Sequence, residues 1–192
     1  MYRFVEYICY NDAQLHHLSV HQYRLNRNFD HFFPEAAPFN LANILPEYEL
    51  KGKHKIRVEY DDQGYFIDIA PYVNPDIRSL ATVVSDEVYY PYKSLERVQL
   101  DDLWDQKGDA DDIIIVRDGL VTDSYYANLA FYRNGKWFTP ETPLLKGVRR
   151  QVLLDSGRII PRVIKQTELH EFEKVSLINA MLDLEEVVVN EI

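Results

Sequence analysis

Four pieces of this sequence, far apart along the chain, carry side chains that could serve one reaction. Lys93 stands in Tyr89-Tyr90-Pro91-Tyr92-Lys93-Ser94-Leu95-Glu96-Arg97, among aromatic residues rather than the solvated neighbours usual for a surface lysine. An amine forms a Schiff base with an aldehyde only when neutral, and a free lysine, with a pKa of roughly 10.4, is almost fully protonated at neutral pH. Apolar surroundings or a nearby cation lower that value, so the tyrosines and proline before Lys93 could make it a reagent. Asp123, in Gly119-Leu120-Val121-Thr122-Asp123, could keep a pyridine nitrogen protonated, so that the ring withdraws electrons from a carbanion. Gly147, in Leu144-Leu145-Lys146-Gly147-Val148-Arg149-Arg150, reads as the opening of a helix whose free backbone N–H groups suit a phosphate. Arg24, in His21-Gln22-Tyr23-Arg24-Leu25, could close on the same phosphate as a fork.

Each piece also has an ordinary reading. Most lysines are solvated. Aspartates recur in turns. Gly147 could simply precede a helix, and Arg24 could be a surface charge on an amphipathic one.

Elements must bring these residues together. Arg3–Tyr10, then Asn11-Asp12, then Ala13–Leu18 reads as a hairpin with its turn at Asn11-Asp12. A helix follows, with Ser19 and Gln22 at capping-box spacing, Val20, Tyr23, Leu25 and Phe29 near helical period, and Pro34 as its stop. His54–Tyr60 and Tyr65–Ala70 form a second hairpin around Asp61-Asp62-Gln63-Gly64, and Ser79–Ser85 is a further strand. Ser94–Gly108 reads as an amphipathic helix with Gly108 past its end, and Asn134-Gly135 as a type I′ turn between strands. A short helix enters at Gly147. The expected class is α+β. The expected domains are 1–86, a connection at 87–92, and 93–192 carrying the cofactor residues.

Composition narrows the function. The 192 residues are 46% hydrophobic and 13% aromatic, enough for a real core. A net charge of −10 argues against non-specific nucleic-acid binding, which needs a broad basic face. Cys9 is the one cysteine, which excludes an intrachain disulfide and fits a reducing, cytoplasmic setting. The first residues carry Arg3 and Glu6 without a long apolar run, so no signal peptide is expected, and runs such as Asp112–Val116 are too short to span a bilayer. His17 and His21 have i, i+4 spacing, but His17 precedes the expected cap, so no metal site is expected.

In order and wording, the pieces HQYRL at 21–25, KSLER at 93–97, GLVTDSYYAN at 119–128, TP at 139–140, GVRR at 147–150 and NAM at 179–181 resemble the class IV aminotransferases. These are the fold-type IV enzymes that use pyridoxal 5'-phosphate, and within them the 4-amino-4-deoxychorismate lyases match best. The resemblance implies a two-domain fold like that of D-amino-acid aminotransferase, with a truncated N-terminal domain. It implies that Lys93 holds the cofactor as a Schiff base, that Arg24 binds its phosphate by side chain, and that Val148 and Arg149 bind it by backbone N–H. It places Leu145 near the ring, Asp123 on the pyridine nitrogen, and Asn179 and Ala180 in the last phosphate-side loop. Tyr7, Tyr89, Tyr92 and Tyr125 become pocket residues. Arg97 and Arg150 match family positions where structural and catalytic roles are equally open.

This sequence departs from the family in three places. Asp123 stands where the family usually has glutamate, one methylene longer. Val5-Glu6-Tyr7 falls where the family has a later strand, and the stretch from Leu50 to Lys93 is short. The leading expectation is a lyase in folate biosynthesis that releases pyruvate and 4-aminobenzoate from a small amino substrate. The alternatives are a transaminase for D- or branched-chain amino acids and a cofactor-binding protein without turnover. A homodimer is expected by resemblance.

Overall fold

The computed structural model describes residues 3–45 and 49–190 and divides into two compact units, Met1–Val73 with Tyr92–Glu96, and Asn74–Pro91 with Arg97–Ile192.

The first unit is an antiparallel sheet with a helix. Strands β1 (Phe4–Asn11) and β2 (Gln14–Leu15) are joined by Asp12 and Ala13, both at positive φ. The hairpin turn is therefore type I′, one residue later than expected. Helix α1 spans Leu18–Phe32 and the short helix α2 spans Leu41–Ile44. Strands β3 (His54–Tyr60) and β4 (Tyr65–Pro71) form the expected second hairpin, whose turn is tied by Asp61 Oδ1 accepting from the Gln63 and Gly64 N–H groups at 2.9 and 3.1 Å. The sheet order is β2-β1-β3-β4.

Alternation along β1 puts Phe4, Glu6, Ile8 and Tyr10 on one face. Opposite them on β3 stand Tyr60, Val58, Ile56 and His54. From α1, His21, Leu25, Asn28 and Phe29 are buried at helical spacing. Phe4, Ile8, Tyr10, Leu25, Phe29, Ile56, Val58 and Tyr60 make one core, so Glu6 is a carboxylate on a core-facing row.

The capping box of α1 does not form. The helix starts at Leu18 after His17 in the left-handed conformation, and no side chain caps it. Gln22 instead donates to Asn26 Oδ1 and the Phe39 carbonyl and accepts from the Leu41 N–H, pinning the chain ahead of α2. The helix stops two residues before Pro34, as the ring requires.

In the second unit, β5 (Leu80–Val84) runs parallel to β6 (Asp112–Arg117), and β7 (Leu120–Val121) returns antiparallel after Asp118 and Gly119 at positive φ. Between them lies α3 (Val98–Trp104). A second sheet holds β8 (Asn128–Arg133), β9 (Lys136–Pro140), β10 (Ile160–Arg162), β11 (Lys174–Ile178) and β12 (Val188–Val189), ordered β10-β9-β8-β11-β12. Asn134 and Gly135 make the expected type I′ turn. Helix α4 (Val148–Asp155) begins after Gly147, also as expected.

The expected boundary at 86–87 shifts for two reasons. Strand β5 pairs with β6 along its whole length, so residues 74–91 belong to the second unit. Residues 92–96 pack with the first, where the Val5 N–H donates to the Lys93 carbonyl at 3.0 Å and the Leu95 N–H to the Arg3 carbonyl at 3.0 Å. Those strand-like bonds also delay the expected helix, which begins only at Val98.

Candidate active site

Lys93 lies in the first unit. Its backbone is held along β1, and its Nζ lies 5.1 Å from the centroid of the Tyr7 ring. Lys55 Nζ approaches the same ring at 5.4 Å, so two lysine side chains share one aromatic ring.

Arg24 also lies in the first unit, within a buried network that motif spacing did not reveal. Glu6 is fully buried. Its carboxylate accepts from Arg24 Nε at 2.8 Å, from Arg24 Nη2 at 2.5 Å and from His21 Nδ1 at 2.6 Å. His21 and Arg24 reach it together because they lie three apart on one helix face. Burial pushes Glu6 upward, but the Arg24 charge and the bonds from His21 and Arg24 outweigh it and hold the carboxyl at about 2. Burial lowers His21, against the pull of Glu6, with Arg24 and Lys93 lowering it further. A neutral His21 facing an ionised Glu6 must donate from Nδ1, which leaves Nε2 as a buried acceptor with no partner among the described residues.

Asp123 lies in the second unit, in the loop between β7 and β8. That loop doubles back, so Asp123 and Asn128 face each other as an isolated antiparallel bridge. Asp123 is buried; its Oδ1 accepts from Asn128 Nδ2 at 2.7 Å and its Oδ2 from the Leu145 N–H at 2.9 Å. Burial raises this carboxyl to about 6, opposed by the Leu145 N–H, Asn128, the Arg150 charge and the Leu144 N–H. Arg150 is itself buried, and its Nη2 donates to the Pro140 carbonyl.

Asn128 donates a second time, to the Leu145 carbonyl at 2.8 Å. Its Oδ1 packs against Gly147 so closely that a Cβ there would lie 2.0 Å away. Gly147 has φ −71, which any residue adopts, so contact and not conformation demands glycine. No side chain caps α4, leaving the N–H groups of its first turn, including Val148 and Arg149, without intrahelical partners. The Arg149 guanidinium points elsewhere, with Nη1 3.4 Å from Asp183.

The other expected residues have visible structural work. Asn179 Oδ1 accepts from the Met181 and Leu182 N–H groups, forming the turn that contains Ala180. Tyr92 packs into the first unit's aromatic core, stacked on His31 with centroids 5.3 Å apart. Tyr89 is exposed. In the second unit Arg97 Nη2 donates to the Tyr125 carbonyl at 2.6 Å, and its guanidinium carbon lies 4.4 and 4.5 Å from the Tyr125 and Tyr126 rings. Tyr125 stacks on Trp104 and its hydroxyl donates to Asp101. Arg97 therefore clamps the loop that follows Asp123.

In the sequence His21 reads as part of the HQYRL helix start and only weakly as a metal partner of His17, and Glu6 and Asn128 carry no assigned role. The signals were a lone glutamate amid alternating apolar residues on β1 and the fixed five-residue step from Asp123 to Asn128.

The comparisons agree with this architecture. The profile of the amino-transferase class IV family matches residues 91–188. A Haemophilus influenzae protein without an assigned function is 32% identical over 185 residues, covering 94% of this chain and 98% of its own. The crystal structure of a candidate 4-amino-4-deoxychorismate lyase from Haemophilus somnus 129PT superposes with a TM-score of 0.89 at 34% identity, covering 96% of this chain and 98% of that one. A hypothetical aminotransferase from Mycobacterium tuberculosis, in its pyridoxal-phosphate-bound form, shares the fold at 15% identity, with a TM-score of 0.72 over 98% of this chain and 80% of its own.

The chain belongs to the class IV aminotransferases, a pyridoxal-phosphate-dependent enzyme family, and has their fold-type IV α+β architecture. Each unit by itself carries groups of the kinds such a cofactor uses: the first an amine and a guanidinium, the second an uncapped helix start and a buried carboxyl raised to about 6. Among the described residues no helix is long and apolar enough to cross a membrane.

Proposed function

We propose that this enzyme binds pyridoxal phosphate on Lys93 and cleaves 4-amino-4-deoxychorismate to 4-aminobenzoate and pyruvate. The observation that carries the reading is the full-length likeness to the candidate lyase of Haemophilus somnus, at 34% identity and a TM-score of 0.89. When bound, pyridoxal phosphate supplies a ring that stores carbanion charge.

The protein's own groups have separate tasks. Lys93 Nζ would hold the aldehyde and, once the substrate amine has displaced it, the freed amine would move the substrate proton as base and acid, which typically contributes ~10²–10⁴-fold. Asp123 would keep the pyridine nitrogen protonated. A phosphate would find donors in the Arg24 side chain of the first unit and in the N–H groups of Val148 and Arg149 of the second, with Asn179 and Ala180 in the loop that the family resemblance assigns to the phosphate side. Leu145 would border the ring. Glu6 keeps the Arg24 guanidinium aimed by holding its Nε and Nη2. Tyr7, whose ring lies 5.1 Å from Lys93 Nζ, is the tyrosine best placed to border the substrate. The same reading carries a homodimer working in the cytoplasm.

An absorbance scan tests it. The purified protein incubated with pyridoxal phosphate should show a visible Schiff-base band that Lys93→Ala abolishes, and aminodeoxychorismate should then yield 4-aminobenzoate. A colourless wild type overturns the reading. Spectral conversion by D-alanine or L-leucine, with aminodeoxychorismate inert, makes the enzyme a transaminase instead. A band that no amine disturbs makes it a binding protein without turnover.

A further inference from the structure

Gly147 opens α4, and the obvious reason for glycine there is access for a phosphate. The geometry points to another. Its φ of −71 is ordinary, and what an added methyl meets is the Asn128 side chain, at 2.0 Å from Oδ1 and 3.2 Å from Cγ. That amide has no room to retreat: Asn128 is buried, and its Nδ2 is bonded to Asp123 Oδ1 at 2.7 Å and to the Leu145 carbonyl at 2.8 Å. Leu145 closes the circuit by donating its N–H to Asp123 Oδ2 at 2.9 Å. Both carboxylate oxygens are thus gripped, one by the amide that Gly147 makes room for and one by the backbone two residues ahead of Gly147.

We propose that Asn128 is a positioning residue that holds the Asp123 carboxylate in place, and that Gly147 is glycine because the Asn128 amide occupies the space of its side chain. The Asp123 carboxylate and the start of α4 then form one mechanical unit, so a change at Gly147 is felt at Asp123. For its catalytic meaning the proposal rests on the pyridoxal phosphate reading. Its geometry does not.

The charges that bear on Asp123 give the expected direction. Burial favours its neutral form, while Asn128, the Leu144 and Leu145 N–H groups and the Arg150 guanidinium on α4 favour the anion. Removing the amide withdraws one stabiliser of the anion, so Asp123 should hold its proton to higher pH.

The test is a carboxyl ¹³C NMR titration of the cofactor-free protein, with the Asp123 signal identified by its loss in Asp123→Asn. Asn128→Ala should raise the Asp123 midpoint by about half a pH unit or more, roughly threefold in its acid constant. Gly147→Ala, which leaves Asn128 chemically intact, should move the midpoint the same way by evicting the amide. The double variant should move it no further than Asn128→Ala alone. Asn128→Ser serves as the second probe should the alanine variant fail to fold. A folded Gly147→Ala protein with an unmoved midpoint, or a double variant whose shift equals the sum of the two, overturns the proposal. Loading with pyridoxal phosphate separates the two readings. A protein that shows the NMR pattern but takes up no cofactor keeps the role of Asn128 and overturns the cofactor assignment. One that takes up cofactor while the midpoints stay flat does the reverse.

Discussion

The first unit surrounds Glu6 with a guanidinium bonded twice and an imidazole bonded once, whereas the second surrounds Asp123 with an amide and backbone N–H groups. Both carboxylates are withdrawn from water. One is held at about 2 and the other is pushed to about 6. Burial acts upward on both, so the difference lies in the donors. A formal positive charge in direct contact offsets the loss of hydration, and neutral dipoles with a more distant Arg150 do not. Glu6 is built to be a permanent anion that orients its neighbours. Asp123, held by neutral dipoles, is left close to proton exchange.

The opposed shifts have opposed consequences for stability. Glu6 titrates lower in the folded protein than in the unfolded chain, so its contribution is present above pH 4.5 and is lost as pH falls toward 2. Asp123 titrates higher when folded, so between pH 3.8 and about 6 the folded protein keeps a proton that the unfolded chain releases. Its contribution is therefore full at low pH and is lost as pH rises through that window.

The sharpest break in the comparison is Arg24→Met, which leaves the buried Glu6 anion without its guanidinium. The unfolding free energy at pH 7 should fall by ~3–5 kcal/mol, read from the denaturant midpoint. A loss below ~1 kcal/mol would mean that charge contact is not what separates Glu6 from Asp123. Next comes the stability of the wild type relative to Asp123→Asn as a function of pH. From pH 7 down to pH 4 that difference should move in favour of the wild type by ~2–3 kcal/mol, and a flat profile would place Asp123 at an ordinary carboxylate value. The smallest expected effect is that of His21→Phe, which fills the same space but withdraws one donor from Glu6. It should destabilise by about 1.5 kcal/mol, the lower end for a bond to a charged group, and no change would show that Arg24 alone suffices.

Much of the fold was legible along the chain because its signals are local. The two first-unit hairpins, the Asn134-Gly135 turn and the entry of α4 at Gly147 each depend on a handful of adjacent residues. Where local chemistry misled, a distant partner had won. Ser19 and Gln22 had the spacing of a cap, but Gln22 was taken by the chain at Phe39 and Leu41. The stretch before α3 had helical character, but the edge of β1 held residues 92–96 as extended chain. Tyr92 reads in the sequence as a pocket residue, and Arg97 as a family position open to a structural or a catalytic role. The structure gives the first to an aromatic core and the second to the loop after Asp123.

The sequence by itself determined the kinds of element, their order and the run of motifs that marks the family, since each is carried by periodicity, turn residues or short spacing. Only the tertiary structure decided the state of the charges. Arg24 reaches Glu6 across 18 positions, Leu145 reaches Asp123 across 22, and the glycine at 147 answers to an amide on another strand. Dehydration and donor geometry set a carboxyl's proton affinity, and both are properties of what folds around it rather than of its neighbours in the chain.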